Sequence, residues 1–247
     1  TGSAKADAGI FTLGLGMQPN ERLNLFAYAN YTDIQLRAHN LLSSEVDKTT
    51  QQGVLGLSYR WSPTEQTWIK LGRSLEGTRI TNFPTLFEFV PLTGIAAFSV
   101  NPRKAMTDLQ LRHSIDPEPG TRWSVGLEHV MEKQASESLG VGMLSTVSDG
   151  RTYSDTMYFG GVNAIDRRYT GITLDGQQQL TPTFRMDGAL ALQHIRQNVE
   201  GASYLRLATS GLENIETAGR HDTKRVLGPR LGAVVQPTPG ATLRLAY

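Results

Sequence analysis

Apolar and polar residues alternate along this chain with a period of two. Trp123, Val125, Leu127 and Met131 share one parity, and Arg122, Ser124, Gly126 and Glu128 share the other. Leu55, Leu57, Tyr59 and Trp61 likewise oppose Val54, Gly56, Ser58 and Arg60, and Leu109 and Leu111 oppose Asp108, Gln110 and Arg112. Later in the chain Met186, Leu190 and Leu192 oppose Arg185, Asp187 and Gln193, and Leu231, Leu243 and Leu245 have Arg230 and Arg244 on the opposite parity. Such alternation predicts strands with one greasy and one wet face.

Proline punctuates the pattern. Pro19-Asn20, Pro63-Thr64-Glu65, Pro117-Glu118-Pro119-Gly120, Pro182 and Pro237-Thr238-Pro239-Gly240 each separate two alternating runs by a few residues. Proline presets φ for a tight turn and glycine supplies positive φ, so these are hairpin connections. They recur about every 45 to 65 residues, an interval that holds two strands and one long connection. The alternating runs extend about 10 to 16 residues, longer than the strands of soluble sheets and near the roughly 9 to 11 that a tilted strand needs to cross a bilayer. The expected architecture is therefore all-β, an antiparallel up-and-down transmembrane barrel or part of one. It has about ten long strands, short turns on one side and long loops on the other. Residues 1–247 form a single domain in this reading, with no separate plug domain.

The long connections are expected at Ala38 to Thr50, Leu75 to Arg103, Glu132 to Arg168 and Asn198 to Lys224. They carry little periodicity beyond a weak helical pattern at Leu205 to Glu216, although Arg151 to Gly161 reads as a further strand. Trp61, Trp68 and Trp123 all fall beside short turns, with Tyr28 and Tyr31 on the first hairpin, the placement of an interfacial aromatic girdle.

Composition removes several alternatives. The chain is 39% hydrophobic and 19% charged with a formal net charge of +1, so no nucleic-acid footprint is expected. It has no cysteine, which excludes disulfides and thiolate metal sites. No run approaches the roughly 20 apolar residues of a spanning helix, but a barrel needs only alternation. The opening Thr1-Gly2-Ser3-Ala4-Lys5 lacks a signal-peptide pattern, as expected of a mature chain or an excised piece.

At this point the residues resemble Gram-negative outer-membrane β-barrels. The segment Gly228 to Tyr247, a hairpin around Pro237-Thr238-Pro239-Gly240, is similar to hairpins in the barrels of TonB-dependent receptors, and so is Gly53 to Trp68 with its Tyr59-Arg60-Trp61-Ser62-Pro63 turn. The resemblance implies transport of a solute across the outer membrane by a pore that is not an enzyme. Those receptors have about twice the strands counted here, so it also implies a piece of a larger barrel, with a plug or energising domain outside this chain. Barrels of polymer exporters that carry helical-repeat periplasmic domains, and simple porins, fit the same pattern.

If the greasy parity meets lipid, the other parity faces the lumen. It offers Arg60, Lys70, Asp108, Arg112, Arg122, Glu128, Arg185, Asp187, Arg230 and Arg244. Such residues either select a solute or contact a plug, or they pair across strands and keep the wall rigid. Phe83, Phe87, Phe89 and Phe98 make one long connection unusually apolar, so they are candidates for contact with a ligand or partner. The histidines, His39, His113, His129, His194 and His221, are dispersed without metal-ligand spacing, and no serine sits in a nucleophile-elbow context. No cofactor or metal is called for; the expected partners are outer-membrane lipid and an unidentified solute or polymer. A soluble all-β binding module and a barrel enzyme remain the readings of other classes.

Overall fold

The computed structural model describes residues 3–39, 44–89, 92–148, 151–211, 213–238 and 241–246, without the side chains of 3, 39, 82–89, 92–96, 146–148, 237–238 and 246. Ten strands form one antiparallel sheet in sequence order: β1 (Ser3–Asn20), β2 (Leu23–His39), β3 (Ser44–Ser62), β4 (Glu65–Phe89), β5 (Leu92–Glu118), β6 (Thr121–Ser148), β7 (Arg151–Thr181), β8 (Phe184–Leu207), β9 (Glu213–Thr238) and β10 (Ala241–Ala246). Every neighbour is a hairpin partner, and β1 and β10 are the two edges.

The short turns form where side chains close them. Asn20 Oδ1 accepts from the amides of Arg22 and Leu23, both at 2.9 Å, so a side chain replaces the backbone acceptor and reverses the chain. Ser62 Oγ and Thr181 Oγ1 accept from the amides of Thr64 and Thr183 in the same manner. At the third turn Gly120 adopts a φ of 82°, which a side chain would resist. Of the last turn, Pro239 and Gly240 lie outside the described residues.

The strands outrun the expected lengths. β7 has 31 residues and β6 has 28, about 100 Å and about 90 Å at a rise of roughly 3.3 Å each. The segments expected as long connections are mostly strand: β4 and β5 pair through Leu75 to Arg103, and β6 and β7 through Glu132 to Arg168. The weak helical pattern at Leu205 to Glu216 is overridden as well, with strand to Leu207, a turn at 208–210 and strand again from Glu213. In runs such as Lys133 to Ser138 both faces are largely polar, so alternation fades, and inter-strand pairing holds the ladder without it.

There is almost no core. Among the described residues the only buried hydrophobic side chains are Met157 and Val234. A domain normally buries its greasy surface between two layers, and this single layer leaves both faces uncovered.

Candidate functional site

The two faces differ chemically, and the strand register shows how they are built. Directly paired residues project to the same side. Gly56 pairs with Lys70, Lys70 with Gln110, Gln110 with Glu128, Glu128 with Gly171, and Gly171 with Gln193, which makes one row across six strands. Counting by twos from that row brings Arg60, Asp108, Arg112, Arg122, Arg185, Asp187 and Arg230 to the same face, and Arg244 joins through Val234, the partner of both Arg185 and Arg244. All ten charged residues singled out in the sequence thus share one face.

Part of that face is cross-braced. Lys70 Nζ lies 3.3 Å from Asp108 Oδ2, Gln110 Nε2 donates to Glu128 Oε1 at 3.3 Å, and Arg122 Nε reaches Asp116 Oδ1 at 2.7 Å. Arg112 pairs with Asp175 and donates to Ser124 Oγ from Nε at 3.1 Å. The strands to either side of this braced stretch are different. Arg185 Nε is shielded without a partner, and among the described residues Arg60, Asp187, Arg230 and Arg244 have no side-chain bond.

The opposite face is a greasy band. The row through Leu57, Ile69, Leu111, Leu127, Ile172, Leu192 and Leu227 runs across seven strands. On β6 the band extends from Trp123 to Met131, about 26 Å along the strand and about 20 Å in height once tilted, close to the roughly 25 Å apolar belt of membrane barrels. Its short-turn border carries Trp61, edge-on to Tyr59 at 4.7 Å, with Trp61 Nε1 donating to Thr67 Oγ1 at 2.8 Å. Thr67 Oγ1 in turn meets His113 Nδ1 at 2.8 Å, and His113 Nε2 lies 3.2 Å from Glu65. Trp68 departs from the expected girdle. It pairs with Ser58 and Arg112 on the charged face, because nearness to a turn does not set parity.

Exposure is inverted relative to a soluble protein. Leu192, Leu227 and Leu231 are 53%, 63% and 63% exposed, whereas the Asp108 and Lys70 side chains are 15% and 34% exposed. Water-facing leucines at this density form an apolar surface far beyond what a soluble monomer tolerates.

The aromatic candidates divide. Phe83, Phe87 and Phe89 have side chains outside the described residues. Phe98 is half-buried in a row with Gly140 and Phe159, on the charged face above the band. The ring of Phe159 covers the bare backbone of Gly140. The sequence pattern did not single out Phe159, because cross-strand register is what places it beside Phe98. Among the described residues no group of three His, Asp or Glu side chains could hold a metal.

No protein-family model matches this chain, and no curated protein does. In solved structures the sheet is similar to the ferric yersiniabactin uptake receptor of Yersinia pestis, with a TM-score of 0.60 and 12% identity over 94% of this chain. Weaker likenesses are the ferric-catecholate import receptor Fiu of E. coli K12 (TM-score 0.49, 8% identity, 98% of this chain and 58% of that one) and the ferric preacinetobactin receptor BauA of Acinetobacter baumannii (0.43, 8%, 98% and 54%). The chain spans 36% of the length of the Yersinia receptor. In fold, the ten antiparallel strands are similar to part of the barrel of that uptake receptor.

Proposed function

We propose that this chain is wall of an outer-membrane transport barrel, with its greasy face on lipid and its charged face lining the lumen. The observation that carries the reading is the inverted exposure. Leucines on one face lie open while six of the ten charges of the other are half-buried and some are paired, which is stable only if hydrocarbon covers the first face and water wets the second. Placing an arginine at the hydrocarbon midplane costs roughly 2–4 kcal/mol, so ten charges on one face strongly favour the orientation given.

The likeness in fold to an uptake receptor supports passage of a solute inward. In this reading Arg60, Lys70, Asp108, Arg112, Arg122, Glu128, Arg185, Asp187, Arg230 and Arg244 meet the solute or a plug domain carried outside this chain. Phe98, with Phe83, Phe87 and Phe89, offers aromatic contact near the mouth.

The test is spin labelling of Leu57, Val125 and Leu190 in reconstituted protein. Labels reached by dissolved oxygen and protected from a water-soluble paramagnetic chelate are the expected result. Free access by the chelate at all three positions would remove the lipid face and the proposal with it.

A further inference from the structure

The greasy face changes character abruptly towards the long hairpins. On six consecutive strands the first formally charged side chain beyond the band is a cation: Arg73, Arg103, Lys133, Arg168, Arg196 and Arg225 on β4 to β9. On β1 to β3 that position is an acid, namely Asp7, Asp33 and Asp47. All six cations are exposed. Arg168 pairs with Asp166 at 3.5 Å, and among the described residues the other five have no ion pair.

Two of these cations are set directly against each other. Arg168 and Arg196 are cross-strand partners on β7 and β8, and Arg225 is diagonal to Arg196 because it pairs with His194. Side chains so opposed start about 4.5–5.5 Å apart at Cβ, and like charges in that relation are destabilising. An anion between the guanidinium groups reverses the sign, and the planar fork of arginine suits phosphate oxygens.

The neighbouring residues identify the source of the anion. Inward of Arg168 and Arg196, past the row of Thr170, His194 and Arg225, lies the row Ile172, Leu192 and Leu227, which is 47%, 53% and 63% exposed. A ligand seated here finds cations first and hydrocarbon-compatible surface next, the order of headgroup and acyl chain in a lipid. Free phosphate would use only the first half.

We propose that Arg168, Arg196 and Arg225 bind the headgroup phosphate of an anionic lipid in the leaflet on the long-hairpin side. This rests on the membrane reading above. The test uses the purified protein in three assays: insertion into phosphatidylcholine vesicles, retention of phosphatidylglycerol by native mass spectrometry, and thermal unfolding with inorganic phosphate. All forms are expected to insert. Retention is expected to fall about fivefold for each arginine removed, the equivalent of roughly 1 kcal/mol per cation at an anionic surface. It should therefore fall in Arg168→Gln/Arg196→Gln and in the milder Arg225→Gln, but not in Arg167→Gln on the opposite face. Unchanged retention in an inserted Arg225→Gln and double variant overturns the lipid site. So does full protection of the wild type against thermal unfolding by inorganic phosphate alone, which would mark a free-anion site. Failure of every form to insert removes the membrane reading first, and the lipid site falls with it.

Discussion

Phe26 on β2 lays its ring across the bare backbone of Gly56, its direct partner on β3. Phe159 covers Gly140 and Trp123 covers Gly176 in the same way. In a sheet without a second layer, a ring that folds down over a glycine finds packing that the fold otherwise lacks, and it pins the register of the two strands. A Cβ at Gly56 would enter the Phe26 ring, whereas nothing lies within 4 Å of one at Gly14. Gly56→Ala is expected to cost about 1–3 kcal/mol through the displaced ring, with Gly14→Ala near neutral. Urea unfolding of the detergent-folded protein measures both.

Leu192 and Gln193 are chain neighbours on opposite faces of β8. Leu192→Arg is expected to destabilise the membrane-inserted protein by roughly 2–4 kcal/mol, and Gln193→Arg by much less, because only the first places charge in hydrocarbon. The readout is the fraction of heat-modifiable folded form on a cold gel. Equal tolerance of the two substitutions would contradict the assignment of faces.

Much of this arrangement was legible in the sequence, for a physical reason. Where one face meets lipid and the other water, hydropathy alternates, so Val125 and Leu127 against Ser124 and Glu128 disclose strand and face together. Where both faces meet water the contrast vanishes. The run Lys133 to Ser138 is strand in β6, yet it reads as a polar connection because hydropathy cannot see backbone pairing. Register is hidden for another reason. Nothing local tells Phe26 that Gly56 stands opposite, or Arg168 that it faces Arg196, since those partners are set by turn length and bulges far along the chain.

Asp155 holds the tip between β8 and β9. Its Oδ1 accepts from the Thr209 amide at 2.7 Å and its Oδ2 from the Ser210 amide at 3.0 Å, beside Gly211 at a φ of 67°. The Thr209 amide bond leads in holding the carboxyl below its ordinary pKa, and with the Ser210 amide it outweighs the opposing desolvation. The folded pKa is depressed, so the stabilisation is present above the unfolded value and is lost as pH falls through the folded one. Hydrogen exchange at Thr209 and Ser210, corrected for intrinsic rates, is expected to be protected at neutral pH and to lose protection below about pH 4. In Asp155→Asn the protection should be weaker and should not change across that range.

Some charges of the charged face are braced and others are not, and if that face lines a lumen, as proposed, this predicts which of them shape the field there. Lys70 and Asp108 lie 3.3 Å apart, so beyond a Debye length of about 10 Å their fields nearly cancel. Arg230 and Arg244 have no such partner among the described residues. Replacing Lys70 and Asp108 together by Met and Asn should leave ion selectivity unchanged, while either single change should destabilise the fold by leaving one shielded charge unpaired. Arg230→Gln with Arg244→Gln should instead shift selectivity away from anions at little cost in stability. Reversal potentials in planar bilayers, taken with unfolding midpoints, separate the two effects. A selectivity change from the paired double variant alone would mean that the fields of Lys70 and Asp108 do not cancel at the conducted ion.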